Sequence, residues 1–92
     1  MDRTKILAMC KARLDRQYSN LIDDQLMDRI EACEAELARR GIHLQDTPDD
    51  TMLLVDYVVF RYGARDKQTG EPEWLRIAIR ERWLNDRAGG EV

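Results

Sequence analysis

The only histidine, His43, is the first residue to test for chemistry. A general base needs a proton donor within reach and a group that orients it. His43 stands between Ile42 and Leu44 with no Ser or Cys nucleophile signature beside it, so a surface or half-packed histidine is expected. Carboxylates come close together at Asp23-Asp24, at Asp49-Asp50 and at Glu31, Glu34 and Glu36. The first two pairs stand where helices should begin, and negative charge is favourable there without any catalytic role. The three glutamates read as a solvated helix surface. Cys10 and Cys33 lie 23 positions apart, without further cysteines or paired histidines, and are expected as reduced core thiols. The Glu-x-x-His pattern of bundle metal sites is absent, as are a phosphate loop, a dinucleotide fingerprint and an EF-hand loop. No catalytic residue, metal or cofactor is expected, and the chain is read as a non-enzyme.

Arginine and tryptophan offer a different chemistry. Arg76 and Arg80 are one helical turn apart, and Arg61 and Arg65 repeat that spacing. Such residues can contact phosphates, or pair with carboxylates within the fold or across an interface. Glu73, Glu81 and Asp86 interrupt the basic run, and the chain carries a net charge of −3, which disfavours nucleic acid as the main partner. Trp74 and Trp83 are nine positions apart, about 180° round a helix at 100° per residue, so both cannot face one core. One should be buried and the other exposed or in contact with another chain. Trp and Arg are enriched among interface hot spots. Arg61, Arg65, Trp74, Arg76, Arg80 and Trp83 are therefore the candidate contact residues.

Four elements must position these side chains. Ile6, Leu7, Cys10 and Leu14 give one helical face over about Thr4 to Leu14, with Asp2 or Thr4 as cap. Leu26, Ile30, Cys33 and Leu37 give a second, capped by Asn20 or Asp23 and stopped by Gly41, with Ile42 folding back over the last turn. Thr47-Pro48-Asp49-Asp50 is a helix start. The run Met52–Tyr62 that follows is apolar nearly all round, as a central buried helix should be. Its β-branched Val55, Val58 and Val59 leave a strand as the competing reading; the cap and the stop at Gly63 favour helix. A polar loop, Ala64–Glu71, is expected to be mobile. The last helix should start at Pro72, run to about Asn85 and bury Leu75, Ala78, Ile79 and Trp83.

Length and composition agree with this plan. A chain of 92 residues, 43% hydrophobic and 36% charged, makes one domain with one small core and a charged surface. The expectation is an all-α domain of four or five helices over residues 1–86, with a flexible tail at 87–92. No run approaches the ~20 apolar residues of a membrane span, and Ile6–Cys10 is too short for a signal peptide, so a cytosolic protein is expected. Charge is unevenly spread: residues 1–20 carry a net +3, residues 21–56 a net −7 and residues 57–92 a net +1. Opposite surfaces of neighbouring copies, or merely an acidic solvated helix face, would each account for it.

The segment Leu21-Ile-Asp-Asp-Gln-Leu-Met-Asp-Arg-Ile-Glu-Ala-Cys-Glu-Ala-Glu-Leu37 leads to Gly41-Ile42 and an Asp-rich helix start. Then come Leu53-Leu-Val-Asp-Tyr-Val-Val-Phe-Arg-Tyr62, a variable loop and a last helix from Trp74 through Leu84. This order resembles the small head–tail connector proteins of tailed bacteriophages, also called head-completion or adaptor proteins. The likeness spans most of residues 4–85 and rests on helix patterning and element order. One departure is the Glu71-Pro72-Glu73-Trp74 entry to the last helix. The resemblance implies an all-helical subunit of a homo-oligomeric ring that docks on the portal protein, meets tail-side connector proteins, and lets DNA pass through a channel without sequence readout. It also implies a virion component assembled in the bacterial cytoplasm. A small helical DNA-binding regulator is the alternative.

Overall fold

The computed structural model describes residues 2–15, 20–64 and 70–90, with side chains described through Arg87. Among the described residues the fold is all-α, with four helices and no strand. They are α1 (Arg3–Arg13), α2 (Asp23–Arg39), α3 (Pro48–Gly63) and α4 (Glu73–Gly90).

Local chemistry sets each boundary. Asp2 caps α1, its carboxylate accepting from the Thr4 and Lys5 N–H groups. Thr47 caps α3, its hydroxyl accepting from Asp50 N–H, with Pro48 in the first turn. Neither Asn20 nor Asp23 caps α2. The N-cap position is Ile22, which offers no side-chain bond, and Asp23 is the first helical residue. Both polar side chains turn to Lys11 instead: its ammonium is 2.8 Å from Asp23 Oδ1 and donates to Asn20 Oδ1 at 3.3 Å. Lys11 is itself buried, its stem lying along the core and its charge matched by Asp23.

Gly41 ends α2 in the left-handed region, at φ 88°. Its N–H donates to the Ala38 carbonyl, and Ile42 N–H donates to the Leu37 carbonyl. These are the two bonds of a Schellman stop, and the buried Ile42 completes it. α4 begins one residue after Pro72, whose carbonyl accepts from Leu75 and Arg76 N–H. Its helical backbone continues to Gly90, past the expected end near Asn85. The polar loop largely falls on residues 65–69, which lie outside the described residues, as do 91–92 of the expected tail.

α3 is the central helix and is packed against α1, α2 and α4. Its Leu54, Val55, Tyr57 and Val58 are fully buried. The strand alternative for this run is not what forms: with neighbours on several sides, an element apolar nearly all round packs as a helix. Ile6 and Cys10 of α1, Leu26, Ile30, Cys33 and Leu37 of α2, and Leu75 and Ile79 of α4 complete one core. Cys10 and Cys33 are both free and buried, as the reading of core thiols required. Burial pushes their thiols up to about 11 and about 12. Of the other three helices, α4 packs on α3 alone, so much of its circumference faces outward.

Candidate functional site

Two features flank α4. On one side Arg40, Ile42, Arg76, Ile79, Arg80 and Trp83 line an open depression of about 170 Å³. Trp83 is half-buried, and its indole lies over the end of α2. A Cβ at Gly41 would come within 2.9 Å of Trp83 Nε1. The Arg87 guanidinium stands 4.8 Å from the centre of the Trp83 ring, a cation–π contact on its outer side. Arg40 is neutralised by Glu71 at 2.7 Å. Arg76 and Arg80 are exposed and form no ion pair with any described residue. In contrast, Arg3, Arg13, Arg40, Arg61 and Arg82 each hold a carboxylate.

The six candidate residues therefore separate. Arg76, Arg80 and Trp83 share the depression. Trp74 is on the same helix, 54% exposed, so the two tryptophans divide as their spacing requires. Arg61 belongs elsewhere: it sits at the end of α3 and is 3.6 Å from Glu36 of α2. Arg65 lies outside the described residues. Sequence reasoning passed over Ile77 and Leu84, which are 49% and 47% exposed. The available signal was their i, i+7 spacing, off the Leu75–Ile79 face, which marks a second apolar stripe.

On the other side of α4 a wider cleft of about 530 Å³ opens toward the start of α3. Asp49, Asp56, Glu81 and Asp86 line it, with Met52, Leu53 and Ala78 supplying apolar wall. At its base lies Arg82, which the sequence did not mark out. Arg82 grips Asp50 with both edges of its fork, Nε to Oδ1 at 2.6 Å and Nη2 to Oδ2 at 2.9 Å. It also donates to the His43 carbonyl at 2.9 Å and pairs with Asp86 at 3.2 Å. Asp50 additionally accepts from Gln45 N–H at 2.7 Å.

These partners account for the electrostatics. The Arg82 guanidinium holds the Asp50 carboxyl below the usual carboxylate range, against the opposing pull of burial. It does the same for Asp86, with help from His43 N–H. A carboxylate so stabilised in its ionised form is a poor proton donor near neutrality. The cluster is a clamp that ties the His43–Gln45 loop, α3 and α4 together. His43 hydrogen-bonds within the cluster through its backbone groups and is exposed. Glu31 and Glu34, read as a solvated face, grip Arg3 at 2.6 and 2.7 Å. Among the described residues no three His, Cys, Asp or Glu side chains are grouped to hold a metal ion. No described helix is long and apolar enough to cross a membrane.

The chain matches no protein-family model, no curated protein and no solved structure.

Proposed function

We propose that the chain is a structural subunit of a phage or prophage head–tail connector, working by assembly rather than by catalysis. One observation carries this reading: α4 presents Arg76, Arg80 and the exposed Trp74 outward, and the two arginines have no carboxylate among the described residues. Charged groups without internal partners, set beside exposed apolar side chains, are the composition of a contact surface. The all-α fold and the order of its helices agree with the resemblance. In this reading the subunit assembles with copies of itself in the bacterial cytoplasm, docks on the portal protein and meets tail-side connector proteins. DNA passes without sequence readout.

The test is native mass spectrometry of the purified protein over a concentration series, alone and with portal protein. A closed high-order oligomer in either condition supports the connector. Replacing Arg76→Glu and Arg80→Glu together should abolish assembly and leave the helical circular dichroism unchanged. Normal assembly by that variant would remove these residues from the site.

One observation favours a second reading, a small helical DNA-binding regulator. Arg76 and Arg80 border one depression, where Arg40 is held by Glu71, and two such guanidinium groups without a carboxylate can take a phosphate. That reading requires the isolated domain to be retained on heparin and to shift a DNA fragment, with affinity falling steeply as salt rises. A protein that ignores DNA at low salt would eliminate it.

A further inference from the structure

Arg76, Arg80 and Arg87 fall within about 40° of arc on α4, counting 100° per residue. Ala78, Glu81, Arg82, Asn85 and Asp86, the α4 residues that line the acidic cleft, centre roughly 170° away on the same count, and Arg82 is already spent on Asp50 and Asp86. The helix thus carries a basic flank and an acidic flank on nearly opposite sides. Each flank has apolar area beside its charge: Ile77 and Leu84 next to the arginines, and Met52, 44% exposed, at the cleft. Asp49 and Glu81, like Arg76 and Arg80, are exposed and form no ion pair with any described residue. The unspent charges of the two flanks are opposite in net sign, with the exposed Glu73 the one acidic group of α4 beside Arg76 and Arg80; the arginines and Glu81 stand on α4, and Asp49 faces them from α3 across the cleft.

We infer that the acidic cleft between α3 and α4 receives the arginine flank of α4 from a second copy of this chain, in a head-to-tail contact. Arg76 and Arg80 pair with Asp49 and Glu81 of the next copy, and Ile77 and Leu84 cover Met52. A two-fold contact centred on the arginine flank is disfavoured, because it would set Arg76 and Arg80 against their own copies. Joining one flank to the opposite flank leaves a free flank of each kind at the ends. The contact therefore propagates, into a ring if the rotation closes or a filament if it does not. This rests on the assembly reading above but needs no portal protein.

The test uses two neutralised variants of the full chain, Arg76→Ser/Arg80→Ser and Asp49→Asn/Glu81→Gln, in sedimentation velocity at low salt. The wild type should form a concentration-dependent series of oligomers, with association weakened about tenfold or more between ~0.05 and ~0.5 M salt. Each variant alone should be monomeric, with an unchanged circular dichroism spectrum. Mixed together, they should give a 1:1 heterodimer and nothing larger, because only one competent flank of each sign remains. A wild type that stays monomeric to ~1 mM, a variant that assembles like the wild type, or a mixture that stays monomeric would each overturn the contact. A wild type that assembles as described, but only into open filaments that ignore portal protein, would keep the contact and lose the connector.

Discussion

Arg82 spends its guanidinium on four contacts to three residues, two to Asp50 and one each to Asp86 and His43. Removing one partner of so enclosed a pair leaves the other desolvated and unmatched. Arg82→Met should cost about 3 kcal/mol in urea unfolding, whereas Arg80→Met on the same helix should stay within about 0.5 kcal/mol. Equal costs would show that the clamp adds nothing. The pH dependence follows from the lowered Asp50 carboxyl. A depressed carboxylate stabilises the fold above its unfolded value of about 3.9 and loses that contribution as pH falls through the folded value. The stability gap between wild type and Asp50→Asn should be constant above about pH 5 and shrink below about pH 4. A gap that persists in acid would assign the effect to packing instead. The thiols titrate in the other direction: burial holds Cys10 and Cys33 up to about 11 and about 12. Both should resist a disulfide reagent at about pH 8 in native protein and react promptly in denaturant. Fast native labelling would contradict their burial. The cysteines were legible because they repeat with Ile6, Leu26, Ile30 and Leu37. Arg82 was not, because its partners sit 32 and 39 positions away and only the fold brings them to it.

Helix ends were readable where one residue type has one physical use. Thr47-Pro48 and Gly41-Ile42 each do what their chemistry dictates, a cap and a left-handed stop. The start of α2 was misread for the converse reason. Asn20 and Asp23 have the right side chains for a cap, but a buried ammonium on α1 needs them more, since an unpaired buried charge costs more than an uncapped turn. Gly41 shows how an element boundary and tertiary packing share a residue. Its φ of 88° is unfavourable for a side chain by about 1–2 kcal/mol. A Cβ there would also press on Trp83 at 2.9 Å from Nε1 and 3.2 Å from Cδ1. Gly41→Ala should therefore destabilise by more than the conformational cost alone. Combining it with Trp83→Leu should recover the excess, read as non-additivity in urea midpoints. Additive costs would mean that the indole yields freely.

At the scale of the whole molecule, apolar period and helix count were visible in the sequence, but which helix would be left on the rim was not. α1, α2 and α3 all pack along one another, while α4 packs along α3 alone and meets α2 only at its end, through Trp83. Its hold on the core comes from Leu75 and Ile79, with the half-buried Trp83 and the Arg82 clamp. Its other large apolar residues, Trp74, Ile77 and Leu84, are exposed. An element with few buried contacts opens at lower free energy than the core it rests on. Native-state hydrogen exchange should then find the α4 amides exchanging through local opening, well before those of α3, which should report global unfolding. Arg82→Met should widen that gap by speeding α4 more than α3. Under assembling conditions the order should change, because a neighbour covering the outward flank supplies the contacts that α4 lacks in the monomer. Protection should rise first around Arg76–Leu84. Equal protection of α3 and α4 in the free protein would show that α4 is an integral part of the core, and its exposed stripe would then lose its standing as the place where assembly adds stability.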